Sequence, residues 1–488
     1  MEFFAFLALF SLFFSIPLIN QKIIISDSFV FSCYLLIVAF FCFIFGENYS
    51  RENFWIFFLY VISFMIYGNS IILKSNKFYL YIGVCILLAG LFNVFAIFSQ
   101  YFDLFSSSLG IWIAEYSEYH GRPYGNFGQP NLVSTLLLTS LCCGIFLYRN
   151  NVINLFTLLL LASFFGIALA FPSSKTAFLC LLFLITVSVF LKDKAISLVF
   201  IVASISMVFT KTLATSTRNI DGSDLTTGRS ELWFTMLNAL WKSPWIGYGA
   251  LNTRIAHFQS RELDVVPRGQ VIGSSHNLVL DFLIWFGLIL GIVVSTYFIK
   301  IVIKYLLENK NNPSKIYIIF PILIHSQLEY PLYYANFLFI FSFFINSNKN
   351  SKTAIKYKVL PFAIVFAVLV LFFVIVLDYL KISQKYTELR FYNNKFLNAK
   401  RPDALSPMVL DLTGGQYNIF IRDEIKDEAD LRSVMRLTRS MPSLNNYHLI
   451  IKYLRENNYS EEEINFWLNK ARASFNVGEI SSLENKIK

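Results

Sequence analysis

Charge is scarce in this chain. Only 15% of its 488 residues are Asp, Glu, Lys or Arg, against about a quarter in an ordinary soluble domain. That deficit excludes a soluble globular protein of this size. Cysteine is also sparse, and Cys33, Cys42, Cys85, Cys142, Cys143 and Cys180 all lie inside apolar runs. Neither a disulfide framework nor a zinc-ligand spacing follows from them. There is no Gly-rich loop to cradle phosphates and no Asp-x-Asp pair on a loop read as external, so nucleotide chemistry is not expected. No clean internal repeat is present, which removes the solenoid architectures. The first apolar run, Phe3 to Ile19, has no basic stretch before it, and a retained span is expected there rather than a cleaved signal.

What is abundant is apolar sequence, at 56% of the residues, in repeated runs from Phe3 to Leu380. A helix needs about 20 apolar residues to cross a bilayer. The expected fold is an all-α polytopic membrane protein with about twelve transmembrane helices, at 3–19, 29–46, 53–73, 79–99, 131–148, 153–171, 176–191, 195–212, 277–300, 316–331, 332–346 and 358–380. Two long polar loops interrupt them, Gln100 to Pro130 and Leu213 to Ser275, and a polar tail follows Lys381. The division expected is 1–124 for the first helices and first outer loop, 125–380 for a core carrying the large loop 213–275, and 381–488 for a small helical domain. In the tail, Ser460 and Glu463 have capping-box spacing. Ile464, Trp467, Leu468 and Ala471 then mark one helical face.

The net charge of +10 suggests nucleic acid until its placement is considered. Lys22, Lys74, Lys77, Arg149, Lys192, Lys194, Lys300, Lys304, Lys310, Lys315, Lys349, Lys352, Lys356 and Lys358 fall on alternate loops, and the opposite short loops hold little more than Arg51 and Lys175. The positive-inside rule makes the first set cytoplasmic and the long loops and tail external. The lipid bilayer, not nucleic acid, is the partner this charge implies.

Ionisable and amide side chains at membrane depth are costly and are functional candidates by default. Four clusters qualify, all on the external side. The first is RPYGNFGQPN, Arg122 to Asn131, where Arg122, Gln129 and Asn131 offer donors; its bland reading is a capped turn with Asn131 near the N-cap. The second is PSSKT, Pro172 to Thr176, where Lys175 is either an anion contact or a snorkelling lysine. The third is the large loop. Arg229 opens an amphipathic helix bearing Leu232, Trp233, Met236, Leu237 and Leu240, a PWIGYG turn follows, and SSHN places His276 and Asn277 at the mouth of a span. Arg254, Arg261 and Arg268 lie between. Such a helix can simply lie in the interface, and His276 can simply be a cap. Several Arg beside a His can instead clamp a pyrophosphate and move a proton. The fourth is HSQLEYPLYY, where His325 and Glu329, four apart, are expected to share a helix face before Pro331, and Tyr330 and Tyr333 follow. A mutually satisfied structural pair is the alternative there.

Taken in order, GNFGQPN (Gly125 to Asn131), GRSELW (Gly228 to Trp233) with PWIGYG (Pro244 to Gly249), SHNLVLDFLIWFG (Ser275 to Gly287) and HSQLEYPLYY (His325 to Tyr334) resemble the bacterial O-antigen ligase and polymerase (Wzy/WaaL) superfamily. Within it they look most like the PglL-type O-oligosaccharyltransferases. The resemblance runs from about Gly125 to the C-terminus, and the polar tail looks like the extra domain of the protein-glycosylating branch. One departure stands out: Lys175 occupies a place where the family often has Arg, which removes bidentate phosphate geometry.

The resemblance implies en bloc transfer of an oligosaccharide from an undecaprenyl-pyrophosphate carrier to a Ser or Thr hydroxyl of a protein such as pilin. The site would face the periplasm in a bacterial inner membrane, with no cofactor and no metal. In this reading Arg229, Arg254 and Lys175 hold pyrophosphate, with Arg122 a weaker candidate. His276 is base or positioner. Gln129, Asn131, Asn277, Tyr330 and Tyr333 shape the donor pocket, and His325 and Glu329 orient the site. An O-antigen ligase acting on lipid A core and a Wzy-type polymerase share this donor and chemistry. A lipid-linked glycan transporter would instead carry charges deep in several helices.

Overall fold

The computed structural model describes residues 22–24, 27–46, 51–69, 76–102, 122–213, 229–263, 272–310, 313–345, 354–356, 380–389 and 422–487, with single positions elsewhere between 370 and 417. The expected span 3–19, most of 358–380 and Arg268 lie outside the described residues. The described chain is almost wholly helical, as apolar segments in lipid must be to satisfy their own backbone groups. In order come β1 (Lys22–Ile24), α1 (Asp27–Phe45), α2 (Arg51–Asn69), α3 (Asn76–Tyr101), α4 (Pro130–Arg149), α5 (Leu155–Ala170), α6 (Lys175–Phe190), α7 (Lys194–Leu213), α8 (Arg229–Lys242), α9 (Thr253–Ser260), α10 (Leu278–Asn309), α11 (Ser314–His325), α12 (Ala335–Ile345), β2 (Ala354–Lys356), α13 (Glu428–Ser440), α14 (Leu444–Glu456), α15 (Glu461–Ser474) and α16 (Val477–Ile487). Among the described residues four helices are long and apolar enough to cross a membrane: Lys77–Tyr101, Pro130–Arg149, Lys194–Leu213 and Leu278–Asn309. Five shorter apolar helices accompany them.

The chain divides into two compact units. One comprises residues 1–30, 63–226 and 298–356; the other comprises 31–62, 227–297 and 357–488.

In the first unit α3 packs on α4, α5 on α7, and α4 on α11. Gly90 faces Ser140, and Gly166 faces the carbonyl of Ala203; such small residues let helix backbones approach closely in lipid. The basic loops meet one another. Lys22 pairs with Lys356 in the β1–β2 ladder, Lys304 with Asp27, and Arg149 with Asp193, while Lys315 lies 3.9 Å over the Tyr79 ring. In all four contacts both partners belong to loops that the charge pattern grouped on one side. Arg149 ends α4 and Asn131 stands near its start, so this basic end and the GNFGQPN turn are separated by roughly 30 Å of helix, a hydrocarbon thickness.

The expected spans 316–331 and 332–346 take a different form. α11 has 12 residues and α12 has 11, each roughly 18 Å long or less at 1.5 Å per residue. Residues 326–334 between them form turns and a short 3₁₀ helix, Pro331–Tyr333. His325 and Glu329 therefore do not share an α-helical face. His325 is the last residue of α11, and Glu329 lies in the turn beyond it, its N–H on the His325 carbonyl at 2.8 Å. Irregular backbone at membrane depth persists only where protein or a water-filled cavity surrounds it.

In the second unit the PWIGYG turn crosses α10 where that helix breaks. Gly287 has φ 78° and ψ 178°, so Ile284 O and Leu288 N lose each other as helical partners. The turn supplies replacements: Tyr248 N donates to Ile284 O at 2.8 Å, Gly249 N to Trp285 O at 2.9 Å, and Leu288 N donates to Pro244 O at 2.7 Å.

The C-terminal helices α13 to α16 bury Leu431, Val434, Tyr447, Ile450, Ile464, Trp467, Leu468 and Ala471 in one core, and Phe258 of α9 is part of it. Ser460 caps α15 by accepting from Glu463 N. Lys470, 2% exposed, donates to the carbonyls of Phe258 (2.8 Å) and Gln259 (3.1 Å) near the C-terminus of α9, the second of which also accepts from Lys242. It also pairs with Glu262 at 2.5 Å. Burial pulls the Lys470 ammonium below the usual lysine range, and Glu262 opposes that. Lys470→Met is expected to destabilise the intact protein by about 1–3 kcal/mol, because the buried Phe258 carbonyl loses this donor and Glu262 its partner, while Gln259 O keeps Lys242. An unchanged detergent melting temperature would refute this anchoring of the tail to α9.

Candidate functional site

The candidate residues fall into two groups, one in each unit. In the first unit Asn131 joins three of the motifs. Gln129, extended at φ −142° and ψ 126°, is the N-cap of α4 and Pro130 its first residue, so Asn131 is not the cap. Its side chain is directed elsewhere: Nδ2 donates to Glu329 Oε1 at 3.2 Å, and Oδ1 accepts from Ser174 Oγ at 2.8 Å. Gln129 Nε2 approaches Glu329 Oε2 at 3.5 Å. Glu329 is 7% exposed, a carboxylate held by amide donors. One turn along α4, Thr135 Oγ1 donates to Asn131 O at 3.1 Å and lies 2.7 Å from His325 Nδ1. Which of the two atoms donates depends on the imidazole tautomer. Tyr330 stacks on Tyr334 with centroids 6.1 Å apart and lies 5.7 Å from Tyr333.

Ser174 also caps α6, accepting from Ala177 N at 3.2 Å. Lys175 is then the first residue of that helix. A cation there opposes the helix dipole, so helix stability does not explain it. Arg122 donates from Nε to Pro172 O at 2.7 Å and from Nη2 to Ser173 O at 3.3 Å, bracing the PSSKT turn. The GNFG turn is held from α3: Gln100 Oε1 accepts from Tyr124 N and Gly125 N, Gln100 Nε2 donates to Gly125 O, and Asn93 Oδ1 accepts from Asn126 N. Gly125 has φ +55°, and a Cβ there would sit 2.8 Å from Asn93 Oδ1. Asn93, Gln100 and Thr135 were not among the expected site residues. An amide inside an apolar run was the signal available for Asn93 and Gln100.

In the second unit the loop motifs converge on residues 273–277. Trp233 of α8, one turn after Arg229, donates from Nε1 to Ser275 O at 2.9 Å. The Arg254 guanidinium lies over Gly273, where a Cβ would be 3.3 Å from Nε. Asn277 caps α10, its Oδ1 accepting from Leu280 N at 3.0 Å, so His276 is not the cap. His276 is half-buried with φ 58°, a left-handed conformation in which His is one of the tolerated residues. Asp281, 1% exposed, accepts from Ser274 Oγ at 2.9 Å, Ser275 N at 2.9 Å and Thr253 Oγ1 at 3.3 Å. Trp285 Nε1 donates to Thr253 Oγ1 at 2.9 Å. Asp281 was also not among the expected site residues, although a lone carboxylate in LVLDFLIWFG is the kind of signal that marks a site.

Comparison with known proteins bears on every one of these segments. Family models match residues 123–148 (Protein glycosylation ligase), 156–295 (O-Antigen ligase) and 316–420 (Virulence factor membrane-bound polymerase, C-terminal). The ComP-specific O-oligosaccharyltransferase of Acinetobacter baylyi is 26% identical over 89% of this chain and 82% of its own. The General O-oligosaccharyltransferase of the same organism is 30% identical over 45% of this chain and 42% of its own. No solved structure matches.

Proposed function

We propose that this glycosyl-transferring enzyme, a relative of the PglL-type O-oligosaccharyltransferases, moves a preassembled oligosaccharide en bloc from undecaprenyl pyrophosphate to Ser or Thr hydroxyls of a periplasmic protein such as pilin, at the outer face of a bacterial inner membrane. The observation that carries the reading is the joining of Trp233, Arg254 and His276 on the 273–277 turn. It sets the Arg254 guanidinium beside the turn that carries the His276 ring.

In the reaction a ring nitrogen of His276 takes the proton of the acceptor hydroxyl, or holds that hydroxyl in line. The oxygen bonds to the anomeric carbon as the bond from that carbon to the phosphate oxygen breaks. Undecaprenyl pyrophosphate leaves with the bonding pair. Arg229 and Arg254 neutralise the charge that grows on it, which is where fixed donors act most strongly. Lys175 and Arg122 are proposed as phosphate contacts in the first unit. Arg122 is the weaker of the two, since two of its donors serve backbone carbonyls. Gln129, Asn131, Asn277, Tyr330 and Tyr333 are assigned to the donor pocket, with His325 and Glu329 orienting it.

Purified protein supplied with undecaprenyl-pyrophosphate-linked oligosaccharide and pilin is expected to release one carrier per glycan attached. Transfer to lipid A core sugars instead would make it an O-antigen ligase, a reading that the match over residues 156–295 also supports. Elongated glycan would indicate a polymerase. Movement of donor across vesicles without transfer would indicate a transporter. Glu329→Gln leaves one acceptor oxygen for two amide donors, and is expected to raise the donor KM about tenfold, or ~1.4 kcal/mol. An unchanged KM would remove Glu329 from donor binding.

A further inference from the structure

Asp281 itself is given no role above, yet this α10 carboxylate, 1% exposed, is the one that the His276 turn bonds. Its Oδ1 accepts from Ser275 N, and its Oδ2 accepts from Ser274 Oγ. Ser274 Oγ in turn accepts from His276 N at 3.0 Å. The hydroxyl proton of Ser274 is therefore directed to Asp281, which leaves the oxygen lone pairs facing the His276 N–H. Ser275 is fixed from the other side as well, its Oγ donating to Asn277 O at 2.8 Å. Through Thr253 Oγ1 the same carboxylate reaches the first residue of α9, directly before Arg254.

We infer that Asp281 is a positioning residue: its carboxylate locks the Ser274–Ser275 backbone so that His276 is held in its left-handed conformation, and it ties that turn to the helix carrying Arg254. Ionised, Asp281 is an acceptor at every lone pair, and all three of these partners are donors. Asparagine would offer one oxygen and an NH₂. The NH₂ would meet Ser274 Oγ as a second donor and turn the hydroxyl proton away. The His276 N–H would then lose its aligned acceptor without any loss of side-chain volume.

The inference rests on the reading of His276 above, and the test separates the two. Wild type, Asp281→Asn, Ser274→Ala, His276→Ala and the His276→Ala/Asp281→Asn double variant are compared in the same transfer assay, with detergent melting temperatures alongside. Asp281→Asn is expected to lower kcat by roughly a hundredfold, the scale of a reacting group displaced by about 1 Å. The donor KM should stay within about twofold, since the guanidinium groups are intact. Ser274→Ala should reproduce the fall in kcat. In the His276→Ala background Asp281→Asn should add nothing, because residues acting as one unit are not additive. A merely structural carboxylate would lower activity by the same factor in both backgrounds, and that result overturns the inference, as does a wild-type kcat in Asp281→Asn. In both of those cases the loss in His276→Ala still stands and the functional reading survives. Wild-type turnover in His276→Ala would overturn that reading and the inference with it.

Discussion

Replacing His276 with asparagine is expected to lower glycan transfer by roughly 10²–10⁴-fold, the usual range for a general acid–base group. Asparagine is the informative choice because the backbone constrains this position. At φ 58° most L-residues are strained, whereas asparagine tolerates the left-handed region. The turn should therefore keep its shape while the imidazole is lost. Helix capping is not disturbed either, since Asn277 performs it. The variant should insert, melt and bind donor like wild type. A His276→Asn protein transferring at the wild-type rate would show that no proton passes through this ring.

Gly287→Ala is expected to have the largest effect on folding. Its φ of 78° lies where glycine alone is comfortable. A Cβ there would stand 2.5 Å from Trp245 O and 2.7 Å from Pro244 O. Both atoms belong to the PWIGYG turn, whose backbone cannot retreat without breaking the bonds from Tyr248 N to Ile284 O and from Leu288 N to Pro244 O. Backbone strain and overpacking each contribute about 1–3 kcal/mol, so a loss above about 3 kcal/mol is expected. The measurement is the yield of monodisperse protein in detergent and its melting temperature. Wild-type values for both would mean that the turn and the helix break do not depend on each other. Gly247 presents the reciprocal contact, with Ile284 O at 2.5 Å from its would-be Cβ.

Features set by local chemistry were legible in the sequence. The N-cap at Ser460 and the face of Ile464, Trp467, Leu468 and Ala471 appear as read, because cap spacing and a 3.6-residue period act within one helix. The alternation of basic loops anticipated which loops meet. Other features needed a partner segment to become visible. The pairing of His325 with Glu329 was read from continuous helical spacing, and α11 stops at His325. Both side chains still reach α4, His325 through Thr135 and Glu329 through Asn131. The break of α10 at Gly287 shows in the sequence only as one glycine among apolar residues. What opens the helix is the carbonyl-lined turn some forty positions earlier, and no local propensity reports it. Arg122 is only a weaker phosphate candidate in the role assignment that follows the resemblance. Its carbonyl partners at Pro172 and Ser173 are about fifty residues away, beyond any spacing argument.

The most direct measurement is the intact mass of a pilin co-expressed with this enzyme in a bacterial host that makes one defined lipid-linked oligosaccharide and lacks a ligase of its own. A mass increase of one whole glycan on the pilin is expected, absent with His276→Asn. Unmodified pilin beside glycan newly attached to lipid A core would contradict it.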